Sequence, residues 1–246
     1  MRPSGRQADE LRPLTFRRRY TRQAPGSVLV HMGRTTVLCT CCVDAKVPDF
    51  LVGSGKGWLS AEYGMLPGST NTRKQRDRGG KVDGRSVEIQ RLIGRSLRAV
   101  VDLTKLGENT LWLDCDVLEA DGGTRCAAIT GACVALAMAL AKLARGGLIL
   151  RWPLRETVAA TSVGICAGQA VLDLAYEEDS EADVDCNVVG TASGLFVEIQ
   201  GTAERRPFTE ERLAQLLTLA RTGLKELTSL QNEVLESQLA DIDLQA

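Results

Sequence analysis

Four groups of residues in this sequence have the chemistry to handle a phosphate group. The first is the turn Asp121-Gly122-Gly123-Thr124-Arg125, which opens a long apolar run. Glycines let a backbone approach a ligand closely, and the free N–H groups of a helix's first turn favour an anion. Thr124 adds a hydroxyl, and Arg125 adds a fork that can grip two oxygens at once. Taken alone, the same residues also make a plain turn with a threonine cap. The second group is Glu177-Glu178-Asp179-Ser180-Glu181-Ala182-Asp183-Val184-Asp185, six carboxylates in nine residues. Such a cluster repels itself unless a cation is present, and Mg²⁺ is held by one or two carboxylates plus substrate phosphates. Asp179 and Asp185 could converge from the two ends of the stretch. An exposed acidic hairpin loop is the plainer reading.

The third group runs from Arg73 to Arg98, with nine cations (Lys81 and Arg78 among them) against Asp77, Asp83 and Glu88. In a chain of net charge −1 this is a local cationic surface. It suits a phosphate backbone, whose binding is driven largely by counterion release. A solvated helix face beside a disordered loop would look the same. Arg85, in Gly84-Arg85-Ser86, is the fourth candidate. It stands where a helix is expected to start and could meet Arg125 across a shared pocket.

The elements that must position these residues follow from periodicity and turn chemistry. Residues 11–19 read as an edge strand, since Pro13 forbids a central one. Gly26–His31 and Thr35–Val43 form a hairpin about Met32-Gly33-Arg34. Residues 49–84 are rich in glycine and charge and read as a long, functional loop. Ile89, Leu92, Ile93, Leu97, Val100 and Val101 fall on one stripe of a helix over Ser86–Leu103. Thr110–Leu118 reads as a strand, and 124–144 as a helix buried on more than one face. A second hairpin is expected over Thr157–Cys166 and Ala170–Tyr176, and a third over Asp185–Thr191 and Leu195–Gly201. Thr209–Leu227 is a helix capped by Thr209. Residues 231–246 form an acidic tail, an exposed helix or frayed end. The halves, about 1–145 and 150–230, repeat one theme: strand, glycine turn, strand, acidic residue.

Composition bounds the classes. The 246 residues suffice for one large domain or two small ones sharing a core, with 44% hydrophobic and 25% charged residues. No window approaches the ~18 consecutive apolar residues of a membrane span. The first six residues lack the apolar core of a secretory signal. The eight cysteines include no C-x-x-C pair, and His31 is the only histidine, so a structural zinc site is not expected. Reduced, buried, small apolar side chains are expected instead. Aromatic residues make up only 4%, which argues against base stacking as the main means of recognition.

Five blocks in order resemble the ribonuclease PH family, the phosphate-dependent 3′ trimming enzymes of transfer RNA precursors. They are Gly57-Trp58-Leu59-Ser60-Ala61-Glu62-Tyr63-Gly64-Met65-Leu66-Pro67, the run Glu88–Arg98, Asp114-Cys115-Asp116-Val117, Ala120–Arg125 and Glu178-Asp179-Ser180. The resemblance covers roughly residues 1 to 230. It implies an α/β (α+β) fold of two layers, internally duplicated, with helices packed on one side of β-rich units. It implies a homohexameric ring, a trimer of dimers, in the cytoplasm, without a membrane. By position it gives phosphate binding to Arg85, Gly123, Thr124 and Arg125. Asp179 and Asp185 become the catalytic pair and the Mg²⁺ ligands, and Arg73 and Arg76 the residues for transfer RNA. Inorganic phosphate is the implied co-substrate and RNA 3′ ends the substrate. An inactive ring subunit of an exosome-like assembly and a hydrolytic nuclease are the rival classes. Ser4, Cys126 and Cys186 depart from the family's usual residues.

Overall fold

The computed structural model describes residues 2–76 and 83–243. Asp77, Arg78 and Lys81 of the basic stretch lie outside them. Strands β1 (Leu14–Arg18), β2 (Gly26–Met32), β3 (Thr35–Asp44), β4 (Trp58–Met65) and β5 (Thr110–Glu119) make one sheet, in the order β1-β2-β3-β5-β4. Helix α1 (Gly84–Val100) packs over β4, and α2 (Thr124–Arg145) over β2 and β3. Strands β6 (Val158–Cys166), β7 (Gln169–Leu172), β8 (Val184–Thr191) and β9 (Phe196–Ala203) make a second sheet, in the order β7-β6-β8-β9. The one-turn helix α3 (Tyr176–Glu181) precedes β8, and α4 (Glu210–Leu239) packs on β6, β7 and β8.

Helix α2 joins the two halves. It touches β2, β3 and β5 of the first sheet and β6 of the second. Eighteen of its 22 residues are buried, which is why its sequence is apolar nearly all round. By length and composition it could cross a membrane, but here its apolar surface is covered by protein. Small residues make the approach possible. A Cβ on Gly131 would lie 2.3 Å from Val30 Cγ2 and 2.8 Å from Cys39 Sγ. A Cβ on Gly26 would collide with the carbonyl of Ala135. Cys39 and Cys115, opposite each other on β3 and β5, both donate to the carbonyl of Ala128. The cysteines thus serve as small buried side chains, with Cys42 and Cys166 only half-buried.

The other side of α2 meets an incomplete strand edge. β7 pairs only with residues 163–166 of β6, so the first half of β6 has no strand beside it there. The Ala160 N–H donates to Thr130 Oγ1 (3.1 Å) and the Val158 N–H to Cys133 Sγ (3.4 Å). Buried Gln231 donates from Nε2 to the carbonyls of both Thr130 and Val158. Side chains thereby satisfy backbone groups that a ladder would otherwise pair.

The two β-rich units, each with helices on one face, match the expected fold class. Helix α1 ends at Val100, three residues short of the expected Leu103, with Val101 pairing with Leu154 instead; the larger departures are these. Residues 58–65, expected within a loop, form β4, which pairs in parallel with β5. Leu59, Ala61 and Tyr63 face the core while Ser60, Glu62 and Gly64 face out, a period of two that flanking glycines and charges hide. The second hairpin's return strand stops at Leu172, and Tyr176 begins α3. The acidic stretch is therefore not a hairpin loop, and Glu178 within it is buried. Helix α4 continues past 231 to Leu239, because Gln231 and Leu235 are buried against the second sheet and α2.

Gly131→Ala tests the α2 contact. Helix propensity favours alanine by about 1 kcal/mol, whereas overpacking costs about 1–3 kcal/mol. The Cβ clash is expected to dominate, so the urea midpoint should fall. A rise would mean that the sheet gives way freely.

Candidate functional site

The N-terminus of α2 forms the floor of a cleft. Gly122 and Gly123 take successive left-handed conformations, φ 75° and 66°. A Cβ at Gly122 would stand 2.7 Å from the carbonyl oxygen of Leu174, so this turn needs glycine to lie against the segment leading into α3. The first α-helical bond runs from the Ala127 N–H to the Gly123 carbonyl, 2.9 Å. The N–H groups of Thr124, Arg125 and Cys126 precede it, as orphan donors for an anion. Buried Tyr63 on β4 donates from Oη to Thr124 Oγ1 at 2.9 Å. Burial raises the phenol's pKa, so it stays a donor. The proton of Thr124 is then left for an acceptor in the cleft.

The cleft has a volume of about 380 Å³. It brings together Arg85, Gly123, Thr124 and Asp179, four of the residues predicted from sequence, with Gly122 of the same turn. Thr70, Asn71 and Thr72 line another wall, with the exposed ring of Tyr176 beside Asp179. Arg85 occupies the first turn of α1. Before it, Asp83 accepts from Lys74 Nζ (2.9 Å) and Ser86 Oγ (3.3 Å), which draws the 67–76 segment to the helix start. The Lys74 contact also holds the Asp83 carboxyl below the usual range.

Asp179 and Asp185 are near enough to couple. Burial, then the charge of Asp185, raise the pKa of Asp179, while Arg85 and Arg125 oppose that rise. Asp185 sits on β8, and its Oδ1 is buried with no hydrogen-bond partner among the described residues. A like-charged pair with an orphaned buried oxygen is a donor set suited to a hard cation.

Arg125 does not line the cleft. Its Nη1 donates to Gln200 Oε1 (2.9 Å) on β9 and Glu88 Oε1 (3.4 Å) on α1, while its charge reaches Asp179. Arg73 and Arg76 are exposed just beyond the cleft wall. Part of the basic stretch is structural instead. Arg95 pairs with Glu198 (2.6 Å), and Arg98 lies over the Trp58 ring and donates to the Leu59 carbonyl. Cys126 and Cys186 are buried, their thiols pushed up to about 12 and about 11 chiefly by burial. Cys126 donates to Asn187 Oδ1.

Sequence reasoning passed over the residues behind the cleft. Asp173, 1% exposed, accepts from Arg12 N and Nε on one oxygen and from Arg12 Nη2 (2.7 Å) on the other. Arg12 also donates to the carbonyls of Asp121 and Gly122. Next to it, Glu178 takes Arg2 Nε (2.6 Å) and Arg6 Nη2 (3.2 Å), and accepts from the Ala175 N–H that opens α3. Ser4 accepts from Arg6 Nε at 3.0 Å. One buried ionic cluster therefore fixes both the glycine turn and the helix carrying Asp179. Its partners lie 161 to 176 residues apart, so no local pattern marks them.

Two sheets sharing one buried helix, with a cleft at that helix's N-terminus, define the ribonuclease PH-like class of fold. The 3′ exoribonuclease family's domain 1 profile matches residues 10–142, and its domain 2 profile matches residues 156–223. The chain belongs to this family. Among solved structures it is similar to rice (Oryza sativa) Rrp46, at 19% identity and TM-score 0.77, over 95% of this chain and 100% of that one. It is also similar to the Archaeoglobus fulgidus exosome with RNA bound to the active site, at 23% identity and TM-score 0.77, over 93% and 91%. An archaeal exosome core matches at 21% identity and TM-score 0.72, over 94% and 90%. At such identities the likeness is one of fold.

Asp173→Asn should strand the buried Arg12 charge and cost about 3–5 kcal/mol at neutral pH. Burial alone would raise the pKa of Asp173, but Arg12 overrides it and the net shift is downward. The contribution of Asp173 is thus fully present above its unfolded value of about 3.9, and fades as pH falls through the folded value. Urea titrations should show the gap between wild type and variant narrowing by about 1 kcal/mol at roughly pH 3. A constant gap would contradict the pairing.

Proposed function

We propose that this chain is a phosphate-dependent 3′→5′ exoribonuclease. It removes nucleotides from the 3′ ends of transfer RNA precursors, and of ribosomal RNA, as nucleoside diphosphates. The observation carrying this reading is that one cleft gathers the helix-start anion site, Arg85 and Asp179, with Asp185 close behind. Inorganic phosphate would sit on Gly123 and Thr124 with Arg85 opposite and Arg125 contributing charge from the side. One phosphate oxygen attacks the phosphorus of the last phosphodiester. The bond from that phosphorus to the 3′ oxygen breaks, and the 3′ oxygen takes a proton. The products are a nucleoside 5′-diphosphate and an RNA one residue shorter with a free 3′ hydroxyl. The side chains position and neutralise, as in other phosphoryl transfers. Run backward, the reaction extends RNA from nucleoside diphosphates.

Asp179 and Asp185 would hold Mg²⁺, and the orphaned Oδ1 of Asp185 supports that assignment. When bound, such an ion offsets charge developing on the phosphoryl oxygens. Alternatively, with no ion bound, burial and the Asp185 charge raise the pKa of Asp179, and it would then carry the proton for the leaving 3′ oxygen. Arg73 and Arg76 would hold the body of transfer RNA. The chain would assemble as a homohexameric trimer of dimers in the cytoplasm; exposed Phe50, Val52, Leu148 and Leu150 support burial against a partner surface and nothing finer.

A second reading is a non-catalytic, RNA-binding subunit of an exosome-like ring. The two archaeal exosome structures among the neighbours favour it. Chromatography of products from labelled RNA, with and without phosphate, separates the readings. Nucleoside diphosphates only when phosphate is present are expected. Monophosphates without phosphate would indicate hydrolysis, and intact RNA a non-catalytic subunit. Arg85→Ala should lower phosphorolytic kcat/KM by about 10²-fold or more and leave RNA affinity without phosphate nearly unchanged. Removing Arg73 and Arg76 together should weaken transfer RNA binding and flatten its salt slope by roughly 2, while short RNAs are still trimmed. Unchanged binding would remove those arginines from the assignment.

A further inference from the structure

A second cationic concavity, of about 370 Å³, lies at the opposite end of α2. The connector after β1 supplies Arg19 and Arg22, and the last turns of α2 supply Lys142 and Arg145. Among the described residues no carboxylate lines it. Arg145 is already matched by Asp241, at 2.5 and 2.8 Å. Among the described residues the Arg19 guanidinium reaches only the neutral amide oxygen of Gln238, at 3.3 Å. The side chains of Arg22 and Lys142 make no hydrogen bond or ion pair among the described residues. Three unmatched positive charges thus converge on one hollow.

Helix-end electrostatics accounts for part of this. Cations in the last turn of a helix offset its C-terminal partial charge, which explains Lys142 and Arg145. It does not explain why a separate segment brings two more arginines to the same place. That segment is also strained. Arg19 stands at φ 53°, a left-handed conformation that arginine seldom adopts, held by its N–H donating to the Ser27 carbonyl at 2.7 Å. Such outliers concentrate where a ligand must be gripped.

We infer that this hollow is a second anion site, which binds phosphate groups at a distance from the 3′ end under trimming. The 22 residues of α2 span about 33 Å at 1.5 Å per residue. That separates the hollow from the cleft by about ten phosphates along one strand of a nucleic-acid helix, taken at 3.4 Å each. The backbone of a structured RNA and a free nucleoside diphosphate present the same chemistry to Arg19, Arg22 and Lys142. The RNA source rests on the phosphorolytic reading, and the free-nucleotide source does not.

The test compares wild type, Arg22→Gln with Lys142→Gln, and Lys56→Gln with Lys225→Gln, which removes two exposed charges elsewhere. Fluorescence anisotropy follows a hairpin RNA of about 25 nucleotides and a hexanucleotide across a range of salt, with about ten phosphates as the reach to be exceeded. The Arg22/Lys142 variant should bind the hairpin about tenfold more weakly, with a salt slope lower by roughly 2. Its hexanucleotide phosphorolysis should equal that of wild type. Titration with ADP, in an Arg85→Ala background that silences the cleft, examines the other source. Loss of ADP binding with hairpin affinity unchanged would assign the site to free nucleotides. If neither ligand responds, or the Lys56/Lys225 control responds equally, the site is overturned. Weaker hairpin binding by a protein that releases no diphosphates would keep the site and overturn the phosphorolytic reading.

Discussion

The buried pair of Arg12 and Asp173 is the constraint on which the candidate site rests. A buried ion pair gains little unless its remaining donors and acceptors are also satisfied. Here they are: Asp173 accepts on both oxygens, and the spare N–H groups of Arg12 go to the carbonyls of Asp121 and Gly122. The pair therefore serves as a clamp as well as a charge match. It ties the segment before β1 to the turn before α2 and to the residues leading into α3. Asp173 itself adopts φ 54°, a conformation that the surrounding bonds must over-determine. The Glu178 cluster extends the clamp by one layer to Arg2 and Arg6.

Helix α2 supplies the second fixed reference. It is packed on both sheets, so its first turn cannot tilt without disturbing two cores at once. A binding group on such an element is held more closely than one on a loop. Tyr63 carries the same rigidity to the Thr124 hydroxyl from β4. The cleft thus draws residues from both halves of the chain, with α1 and the 70–76 segment joined by the Lys74–Asp83 contact.

Much of this was legible in the sequence. The three hairpins were marked by glycines at 33, 168 and 194, all at positive φ. The continuous apolarity of 124–144 correctly signalled a helix buried on more than one face. What escaped reading was non-local. β4 pairs with a strand about fifty residues later, and its alternation is short and framed by glycines. α3 looked like an acidic loop because the arginines that bury Glu178 lie at the other end of the chain. The grip of Glu88 and Gln200 on Arg125 could not be anticipated either, since it depends on α1 and β9 meeting. Arg85 was set near the glycine turn by its place at an expected helix start, and the resemblance added its role in phosphate binding.

The half-open edge of β6 gives the end of the chain a protective role. An uncovered strand edge is a template on which a foreign strand can add. In this protein Thr130 and Cys133 occupy the edge from one side, and Gln231, well along the last helix, closes it from the other. Until α4 docks, the nascent chain carries an open seam at its centre. Loss of that helix would uncover the carbonyls that Gln231 holds and leave Thr130 and Cys133 alone to guard the edge.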